Sequence, residues 1–402
     1  MKPWLTVIGI GEEGLNGLPT PMVELIKKAD VLVGGERHLA KVPDYGARRM
    51  NWGKGFSQAI EDLKAHKDKN VVVLASGDPM NFGVGSTLRK RFLAEEMTII
   101  PAPSAFSLTA SRMGWSLPDV QHITVHGRSL DVVNLYLVPG IKLLILSRDG
   151  TTPAALAERL CLRGFGKSRI DVFEHLGGAL ENHITAKAED WTATRTADLN
   201  TIALECAHGS DALFWSRVPG LPENAFEHDG KITKREVRAA TLALLSPMPG
   251  QNLWDVGAGS GAVGIEWLRS DVSVNATAFE IEADKCQVIA RNAANLGVPR
   301  LKVIEGDAHQ HIDKAENAPD AIFVGGGVSD RVLMKACWDK LARGGRLVAN
   351  GVTVEAHAAL IDFQNTYGGE LTRISVARSG AVGSMTALRP MMDVLQVKAE
   401  KK

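Results

Sequence analysis

The amino-acid sequence predicts an α/β fold with two unrelated domains in tandem. The chain has 402 residues, which is more than a single hydrophobic core usually supports. Short β-branched runs alternate with amphipathic segments, and neighbouring parallel strands need helical crossovers of that kind. Each half contains its own glycine-rich turn, at residues 9–14 and at residues 257–261, and the two turns differ in spacing. We therefore expect two different parallel α/β domains rather than a repeat.

The first half begins with a predicted strand and continues as alternating strands and helices. The strand-like runs are LTVIGI, VLVGG, VVVLAS and MTIIPA, and the helix-like runs are PMVELIKKA, STLRKRFLAEE and SAFSLTASRMG. Ser104 stands at the start of the last of these helices, where its hydroxyl can accept a hydrogen bond from a free backbone N–H. The order of the runs predicts parallel βαβ units.

The alternation breaks for a long stretch in LFWSRVPGLPENAFEHDGKITKREVRA, which contains Pro219 and Pro222. Such a polar stretch with prolines is typical of a connection between domains. We place the boundary near residue 217, which gives domains of residues 1–217 and 218–402. The elements predicted in the second domain are helix 233–246, strand 252–256, helix 261–269, strand 274–280, helix 283–296, strands 300–304 and 319–324, a helix around 329–342, strand 345–350, and finally one helix and two strands.

Composition narrows the class of partner. Lys plus Arg and Asp plus Glu number 46 each, and aromatic residues make up only 5% of the chain. Proteins that bind nucleic acid usually show a basic excess and stacking aromatic side chains, so a small or medium-sized substrate is favoured. The cysteines form no C-x-x-C pair, so neither a zinc site nor a disulfide framework is predicted for Cys161, Cys206, Cys286 and Cys337.

The N-terminal sequence MKPWLTVIGIGEEG leads directly into a predicted strand and lacks the basic and apolar regions of a signal peptide. No run in the sequence approaches the roughly 20 apolar residues that cross a bilayer. We therefore expect a cytoplasmic protein with no membrane partner.

The segment LWDVGAGSGAVGIEWLR places a glycine-rich turn between a predicted strand and a predicted helix. Glycine lets the backbone turn tightly there, and the free N–H groups at the start of the helix attract a carboxylate or a phosphate. Gly257, Gly259 and Ala262 fit the G-x-G-x-x-G/A pattern of dinucleotide-binding domains, with Glu280 at the ribose-binding position. A dinucleotide site is therefore one interpretation of this turn.

The same turn also has the spacing D-x-G-x-G-x-G, formed by Asp255, Gly257, Gly259 and Gly261. This pattern resembles class I methyltransferases, which use S-adenosylmethionine, and the resemblance favours a methyltransferase over a dinucleotide-binding protein. It implies that Asp255 and the three glycines belong to the cofactor site, with the glycines approaching the methionyl end of the cofactor. It also implies later contacts with the ribose and adenine at the strand ends, by Glu280, Asp307 and Ala308.

Residues 225–390 show a closer resemblance. The run ITKREVRAATLALL precedes the turn, and GDA and IFVGGG follow it. Together they resemble the cobalamin-pathway methylases that decarboxylate an acetate side chain and methylate a meso carbon. This resemblance implies that Thr233 is a further cofactor contact.

Three motifs follow successive predicted strands of the first half: VIGIGEEG at 7–14, ASGDPMNFGVG at 75–85 and IIPAPSAFSLTASRMGW at 99–115. Taken singly, each describes only a turn. As a set, and continued through VHGR, EHLGG and NTIALE, they resemble the tetrapyrrole methylase family, the class III methyltransferases, whose cofactor lies in a cleft between two α/β subdomains. The resemblance implies cofactor-binding positions at Gly9, Gly11, Gly77, Asp78, Pro103, Ser104 and Ala105.

A class III methylase followed by a class I decarboxylating methylase resembles a bifunctional enzyme of corrin biosynthesis. The resemblance implies one S-adenosylmethionine per domain, with S-adenosylhomocysteine as product, and a tetrapyrrole substrate. Relatives of both domains associate through flat surfaces, so a homo-oligomer is expected. Two alternatives stay open: an RNA methyltransferase, since both folds also act on RNA, and a non-catalytic cofactor-binding scaffold.

A substrate with many carboxylates needs basic side chains near each cleft, because guanidinium groups bind carboxylates in bidentate fashion. His126 and Arg128, in VHGR, are the candidates for substrate contact in the first domain, or else a loop histidine and a surface arginine. Asp78 either orients the substrate or caps a helix. His309 either faces the substrate of the second domain or lies in a solvated loop, and His309-x-His311 lacks a third ligand at suitable spacing, so no metal is predicted.

Overall fold

The computed structural model of the chain describes residues 3–52, 55–315 and 317–402. The chain divides into two units. The first unit runs to Leu130 and resumes over Val138–Leu213, and the second comprises Asp131–Leu137 and Phe214–Lys402. Both units combine α-helices with β-sheets, which confirms the predicted α/β class. The domain limits 1–217 and 218–402 stay a prediction.

The first part of the first unit contains a five-stranded parallel sheet. Its strands are β1 (Leu5–Ile10), β2 (Val31–Gly34), β3 (Arg48–Asn51), β4 (Val71–Ser76) and β5 (Met97–Ile100). The helices between and after them are α1 (Thr20–Lys27), α2 (Glu36–Leu39), α3 (Phe56–Lys64), α4 (Val84–Leu88) and α5 (Ala105–Met113). The strand order β3-β2-β4-β1-β5 places β1 between β4 and β5, so the carboxyl ends of these three strands are neighbours.

The helix predicted over STLRKRFLAEE is wrong in extent, because α4 ends at Leu88. Beyond it, the guanidinium of Arg89 donates to the carbonyl oxygen of Phe92 at 2.7 Å, and the Phe92 ring is buried in the core of the sheet. The carboxylate of Glu96 accepts a hydrogen bond from the backbone N–H of Leu93 at 2.9 Å. These contacts fold the segment into turns, and the turns bring the Phe92 ring into the core.

The second part of the first unit contains another five-stranded sheet, of mixed direction. Its strands are β6 (Gln121–Thr124), β7 (Lys142–Leu146), β8 (Arg169–Glu174), β9 (Asn182–Lys187) and β10 (Asn200–Glu205), with α6 (Thr152–Leu162) before β8. The order is β6-β7-β10-β8-β9, and only β6 and β7 are parallel. The prediction of parallel units is wrong here, because residues 175–181 alone join β8 to β9 and a parallel pair needs a longer crossover.

The second unit is organised around a seven-stranded sheet in the order β13-β12-β11-β14-β15-β19-β16. Its elements are α7 (Arg235–Leu245), β11 (Asn252–Val256), α8 (Ala262–Ser270), β12 (Asn275–Glu280), α9 (Ala283–Asn295), β13 (Lys302–Glu305), α10 (Ala308–Ile312), β14 (Ala321–Val324), α11 (Arg331–Lys340), β15 (Arg346–Gly351), α12 (Val354–Tyr367), β16 (Glu370–Ile374), β17 (Ala377–Val382), β18 (Met385–Pro390) and β19 (Val394–Glu400). The strands from β13 to β15 are parallel, and β19 is antiparallel to both β15 and β16. Apart from shifts of one or two residues at their ends, the elements predicted between 233 and 350 are confirmed.

The C-terminal segment differs from its prediction. Four strands follow α12 instead of two, because β17 and β18 form a separate antiparallel hairpin. Its side chains are mostly exposed, so the sequence lacks the alternation of apolar and polar residues that marks a strand with one buried face. The short helix α10, which follows β13 directly, was not predicted.

Helices cover both faces of the seven-stranded sheet. Trp267 and Ile289 are buried in the apolar cluster on one face, and Met334 and Leu360 in the cluster on the other. Within the ranges that the structure describes, no helix is long and apolar enough to span a membrane.

Candidate active sites

The three motifs of the first unit meet at one edge of its parallel sheet. They follow β1, β4 and β5, and the backbone joins them directly: the N–H of Gly77 donates to the carbonyl oxygen of Ile10, and the N–H of Ala102 donates to that of Gly77, both at 3.2 Å. The structure therefore brings together the loops of Gly9, Gly77 and Pro103, as their order along the chain predicts.

Close packing of these loops explains why glycine is needed. A Cβ atom on Gly9 would lie 1.9 Å from the Gly77 carbonyl oxygen and 2.6 Å from the Ala102 nitrogen. Gly77 itself has φ +52°, in the left-handed region that other residues rarely adopt. Gly11 lies further along the first loop, where a Cβ would meet a carboxylate oxygen of Glu13 at 2.5 Å.

The third loop leads into α5 through a helix cap. The Ser104 hydroxyl accepts a hydrogen bond from the backbone N–H of Ser107 at 3.1 Å, and Ala105 is the first residue of the helix. This confirms the predicted cap. Asp78, in the second loop, is half-buried, and its Oδ1 accepts a hydrogen bond from the backbone N–H of Met80 at 2.8 Å. In this structure Asp78 therefore stabilises its own turn.

His126 and Arg128 lie on the exposed turn that follows β6. The Arg128 guanidinium carbon is 5.7 Å from the centre of the Phe82 ring, which belongs to the loop of Asp78. Phe82 has φ +55°, an unfavourable conformation for an aromatic residue, and its ring makes an edge contact with Phe106 at 5.9 Å. Arg128 is thus brought to the predicted cofactor loops. The backbone N–H of His126 donates to the Thr124 hydroxyl at 3.1 Å.

In the second unit the glycine-rich turn connects β11 to α8. Gly257, Gly259 and Gly261 all have positive φ, between 60° and 75°. A Cβ on Gly257 would lie 2.5 Å from the Cα of Gly326, and one on Gly261 would lie 2.8 Å from the side chain of Ile289, so both pack tightly. At Gly259 the nearest atom is 3.9 Å away. The middle of the turn therefore faces open space.

Asp255 lies inside the protein, under the turn. It is 1% exposed, and its Oδ2 accepts a hydrogen bond from the backbone N–H of Gly264 at 2.8 Å. Burial raises the pKa of Asp255 to about 7, and the nearby Glu280 acts in the same direction. Asp255 thus stabilises the start of α8, and its carboxylate does not reach the surface of the turn.

The acids predicted at the next two strand ends lie in adjacent positions. Glu280 ends β12, pairs in register with Glu305 of β13, and accepts a hydrogen bond from the backbone N–H of Gly259 at 2.8 Å. Asp307 caps α10, where its Oδ1 accepts from the backbone N–H of His309 at 3.0 Å, and Ala308 is the first residue of that helix. The turn and both acidic positions therefore share one edge of the sheet.

Thr233 is held by a buried ion pair. The guanidinium of Arg238 donates to the Thr233 carbonyl oxygen at 2.5 Å and to Glu266 Oε1 at 2.7 Å. The side chains of Arg238 and Glu266 are 0% and 2% exposed. The segment that carries Thr233 is therefore fixed to α8, the helix that begins at the glycine-rich turn.

The side chain of His309 forms a hydrogen bond with that of Asp330. Its Nε2 lies 2.9 Å from Asp330 Oδ2, and this hydrogen bond is the largest factor that lowers the pKa of Asp330. Asp330 also caps α11 through the backbone N–H groups of Val332 and Leu333. Within residues 3–52, 55–315 and 317–402, no three metal-ligating side chains converge.

A cleft of about 270 Å³ borders the middle of the glycine-rich turn. It is lined by Glu227, His228, Asp229, Gly259, Ser260, Lys285 and Val288. Of these, only Gly259 was predicted. The lining residues before Thr233 belong to an irregular segment without a motif, and Lys285 and Val288 have the helical spacing of an ordinary surface helix. No signal in the sequence marks them.

Two different methyltransferase families match the two parts of the chain. Residues 5–190 match the family described as tetrapyrrole (corrin/porphyrin) methylases, and residues 224–401 match the precorrin methyltransferase domain. A precorrin-6Y C(5,15)-methyltransferase [decarboxylating] from Sinorhizobium sp is 45% identical over 98% of this chain and 96% of that protein. One from Mycobacterium tuberculosis H37Rv is 38% identical over 99% of this chain and 100% of that protein.

The chain therefore belongs to the family of precorrin-6Y C(5,15)-methyltransferases (decarboxylating). Among solved structures, the C-terminal domain of precorrin-6Y C5,15-methyltransferase from Rhodobacter capsulatus is 38% identical. It covers 46% of this chain and 100% of that one, with a TM-score of 0.44.

Proposed function

We propose that the protein methylates a precorrin macrocycle at meso carbons 5 and 15 and decarboxylates the ring C acetate, which converts precorrin-6B to precorrin-8X in cobalamin biosynthesis. The observation that carries this proposal is the match to the Sinorhizobium relative, which extends over 98% of the chain and so includes both halves. Methyl donation by S-adenosylmethionine follows from membership of a methyltransferase family.

We infer one S-adenosylmethionine site per domain. In the second domain, Gly259 leaves open space in the turn, and the Glu280 carboxylate beside it can accept hydrogen bonds from ribose hydroxyls. Asp307 and Ala308 follow at the next strand end, where an adenine would lie, and Thr233 would complete the site. In the first domain the site would be formed by the three joined loops, which contain Gly9, Gly11, Gly77, Asp78, Pro103, Ser104 and Ala105.

When bound, S-adenosylmethionine supplies an activated methyl group whose departure leaves a neutral thioether. The main task of the protein is then to align an electron-rich meso carbon with that methyl, and alignment alone can lower a barrier by several kcal/mol. The macrocycle can accept the electron pair released when the ring C acetate loses carbon dioxide. The residues must therefore bind, orient and exclude water rather than supply a strong nucleophile.

We assign substrate contacts to the polar residues near the clefts. Arg128, next to the loop of Asp78, is suited to bind a substrate carboxylate in the first domain, with His126 on the same turn. Asp78 would orient the macrocycle. In the second domain, His309 would face the substrate, and its hydrogen bond to Asp330 would hold the ring in place.

The direct test uses the full-length protein with S-adenosylmethionine and reduced precorrin-6, with product mass as the readout. We expect a gain of two methyl groups and the loss of one carbon dioxide. The variant Glu280→Gln should leave methylation of the tetrapyrrole by the first domain intact. It should impair methylation and decarboxylation by the second domain. Unchanged tetrapyrrole, with transfer of methyl groups to RNA instead, would overturn the proposal.

We also propose a homo-oligomer. The hairpin β17–β18 exposes Val382, Met385 and Leu388 by 52%, 76% and 73%, and Arg378 at its base is held by Glu223 at 2.8 Å. A second copy of the chain is the partner that would cover these side chains. Light scattering that finds only a particle of 43.2 kDa would contradict the oligomer.

We also propose a cytoplasmic location. It fits the four cysteines, which are unpaired thiols.

A further inference from the structure

A group of polar and charged side chains lies beside the predicted cofactor loops of the first unit: Glu12, Arg37, His38 and Lys41. Arg37 Nη1 and Lys41 Nζ both donate to the same carboxylate oxygen of Glu12, the lysine at 2.5 Å. Lys41 also donates to the carbonyl oxygen of Gly11 at 3.1 Å. The two cations therefore converge on the loop that follows β1.

The same group reaches the loop that follows β4. The hydroxyl of Ser76, the last residue of β4, accepts from Arg37 Nη2 at 3.2 Å and lies 2.8 Å from His38 Nε2. Gly77 and Asp78 come directly after Ser76. Arg37 is thus close to two of the three loops to which a methyl donor is assigned.

The loop between β8 and β9 closes over Glu12 from the other sheet. His175 Nδ1 lies 3.9 Å from Glu12 Oε2, and a Cβ on Gly178 would lie 2.8 Å from the Cβ of Glu12. His175 has φ +47°, which costs about 1–2 kcal/mol for a residue with a side chain. The surrounding contacts hold this conformation and keep an imidazole beside Glu12.

The charges in this group do not balance. Arg37 and Lys41 carry two positive charges against the single negative charge of Glu12. Burial and the two neighbouring cations lower the pKa of His38 to about 4, so this residue adds no charge at neutral pH. Burial alone would raise the pKa of Glu12, but the bond from Lys41 and the charge of Arg37 outweigh it and lower the pKa. Within this group of four residues, one unit of positive charge is therefore left over.

The excess charge is accessible. The Arg37 side chain is 41% exposed, whereas those of Lys41 and Glu12 are 15% and 18% exposed. A guanidinium presents several donors in a plane and binds carboxylates in bidentate fashion.

We propose that Arg37 and Lys41 form a binding site for a peripheral carboxylate of the tetrapyrrole in the first domain, and that Glu12 competes with that carboxylate for the two cations. The identity of the ligand rests on the proposed function. The site selects a substrate that carries acidic side chains, and it places such a substrate beside Gly77 and Asp78.

Steady-state kinetics of the full-length protein test this with three variants, Arg37→Gln, Lys41→Met and Glu12→Gln. For methylation by the first domain we expect the first two to raise KM for the tetrapyrrole by about tenfold, which corresponds to about 1.4 kcal/mol, with little change in kcat. Glu12→Gln should lower KM, because it removes the competing carboxylate. Lys64→Met, which removes a lysine paired with Glu61 on α3, is the matched control and should leave KM unchanged.

Thermal unfolding of the first unit serves as the control for folding in each variant, because all four substitutions lie in that unit. If Glu12→Gln raised KM as Arg37→Gln does, the group would be a structural link between loops and the proposal would be wrong. Quenching of the fluorescence of uroporphyrin, a tetrapyrrole polycarboxylate, measures binding without turnover. Weaker uroporphyrin binding in Arg37→Gln supports the carboxylate site even if the wild type does not methylate precorrin, whereas equal binding in both proteins contradicts it.

Discussion

The side-chain amide of Asn292 donates to the carbonyl oxygen of Ser260, in the glycine-rich turn, at 3.0 Å. The same amide donates to the carbonyl oxygen of Glu227 at 2.9 Å and accepts from its backbone N–H at 2.8 Å. Asn292 is 1% exposed, so water does not compete for these bonds. Because Glu227 and Ser260 both line the cleft, one buried residue of α9 fixes the two walls relative to each other.

Replacing Asn292 should therefore weaken cofactor binding in the second domain only. For Asn292→Ala we expect about a tenfold rise in the Kd for S-adenosylmethionine at that site, and a loss of about 1–3 kcal/mol of stability from the unsatisfied groups of Glu227 and Ser260. Calorimetric titration of the full chain measures both sites. Asn295→Ala, at an exposed position of the same helix, is the control. Equal effects of the two variants would show that Asn292 does not position the walls of the cleft.

The buried carboxyl of Asp255 should make the second unit less stable as pH rises. Its pKa is about 7 in the folded protein against 3.8 for an ordinary aspartate. Folding favours the protonated form of the carboxyl, so its stabilising effect is complete below the ordinary pKa. The effect decreases as pH rises and is lost once pH has increased through about 7. The total loss in the free energy of unfolding is a few kcal/mol.

Asp255→Asn keeps an oxygen for the Gly264 N–H and cannot ionise. We expect its thermal unfolding to lose this dependence on pH, and the variant to be more stable than the wild type at about pH 8. Asp284→Asn, at an exposed position of α9, should retain the wild-type slope. An unchanged slope in Asp255→Asn would show that the carboxyl is ionised in the folded protein at all these pH values.

The buried pair of Arg238 and Glu266 gives a third prediction. Glu266 also accepts hydrogen bonds from the backbone N–H groups of Gly220 at 2.6 Å and Leu221 at 2.9 Å. Glu266→Ala leaves a buried guanidinium and two N–H groups without their acceptor, and we expect a loss of about 3–5 kcal/mol. Urea unfolding of the second unit measures this, with the exposed pair of Glu282 and Lys285 as comparison. Glu282→Ala should cost less than about 1 kcal/mol, and a similar cost for both variants would argue against this account.

The sequence was sufficient to predict which loops meet. The motifs of Gly9, Gly77 and Pro103 each follow a strand, and the carboxyl ends of adjacent parallel strands share one edge of a sheet. Glu280 and Asp307 could be placed in the second unit for the same reason. The prediction needs only the strands and their direction, which the alternation of strands and helices predicts correctly for β1–β5 and β11–β15 but not for β6–β10.

Contacts between distant residues could not be predicted in this way. Asn292 lies on the buried face of its helix, three residues after Ile289, and only the folded chain brings Glu227 and Ser260 to it. Residues 131–137 join the second unit because Leu135 packs against Gly297, where a Cβ would lie 2.1 Å from the Leu135 nitrogen. No periodicity in the sequence reports such a contact. Arg37 was missed because a basic residue in a short helix is usually a solvated one.

The exposed hairpin gives the last prediction. If a second copy of the chain covers Met385 and Leu388, a charge at either position must be buried without a partner in the assembly, at a cost of several kcal/mol. We expect the double variant Met385→Lys with Leu388→Lys to shift the particle mass measured by light scattering toward the 43.2 kDa of one chain, with its thermal unfolding nearly unchanged. Leu162→Lys, at a residue of the first unit that is 79% exposed, should keep the mass of the wild type. If the double variant assembled like the wild type, the hairpin would lie outside the interface between copies.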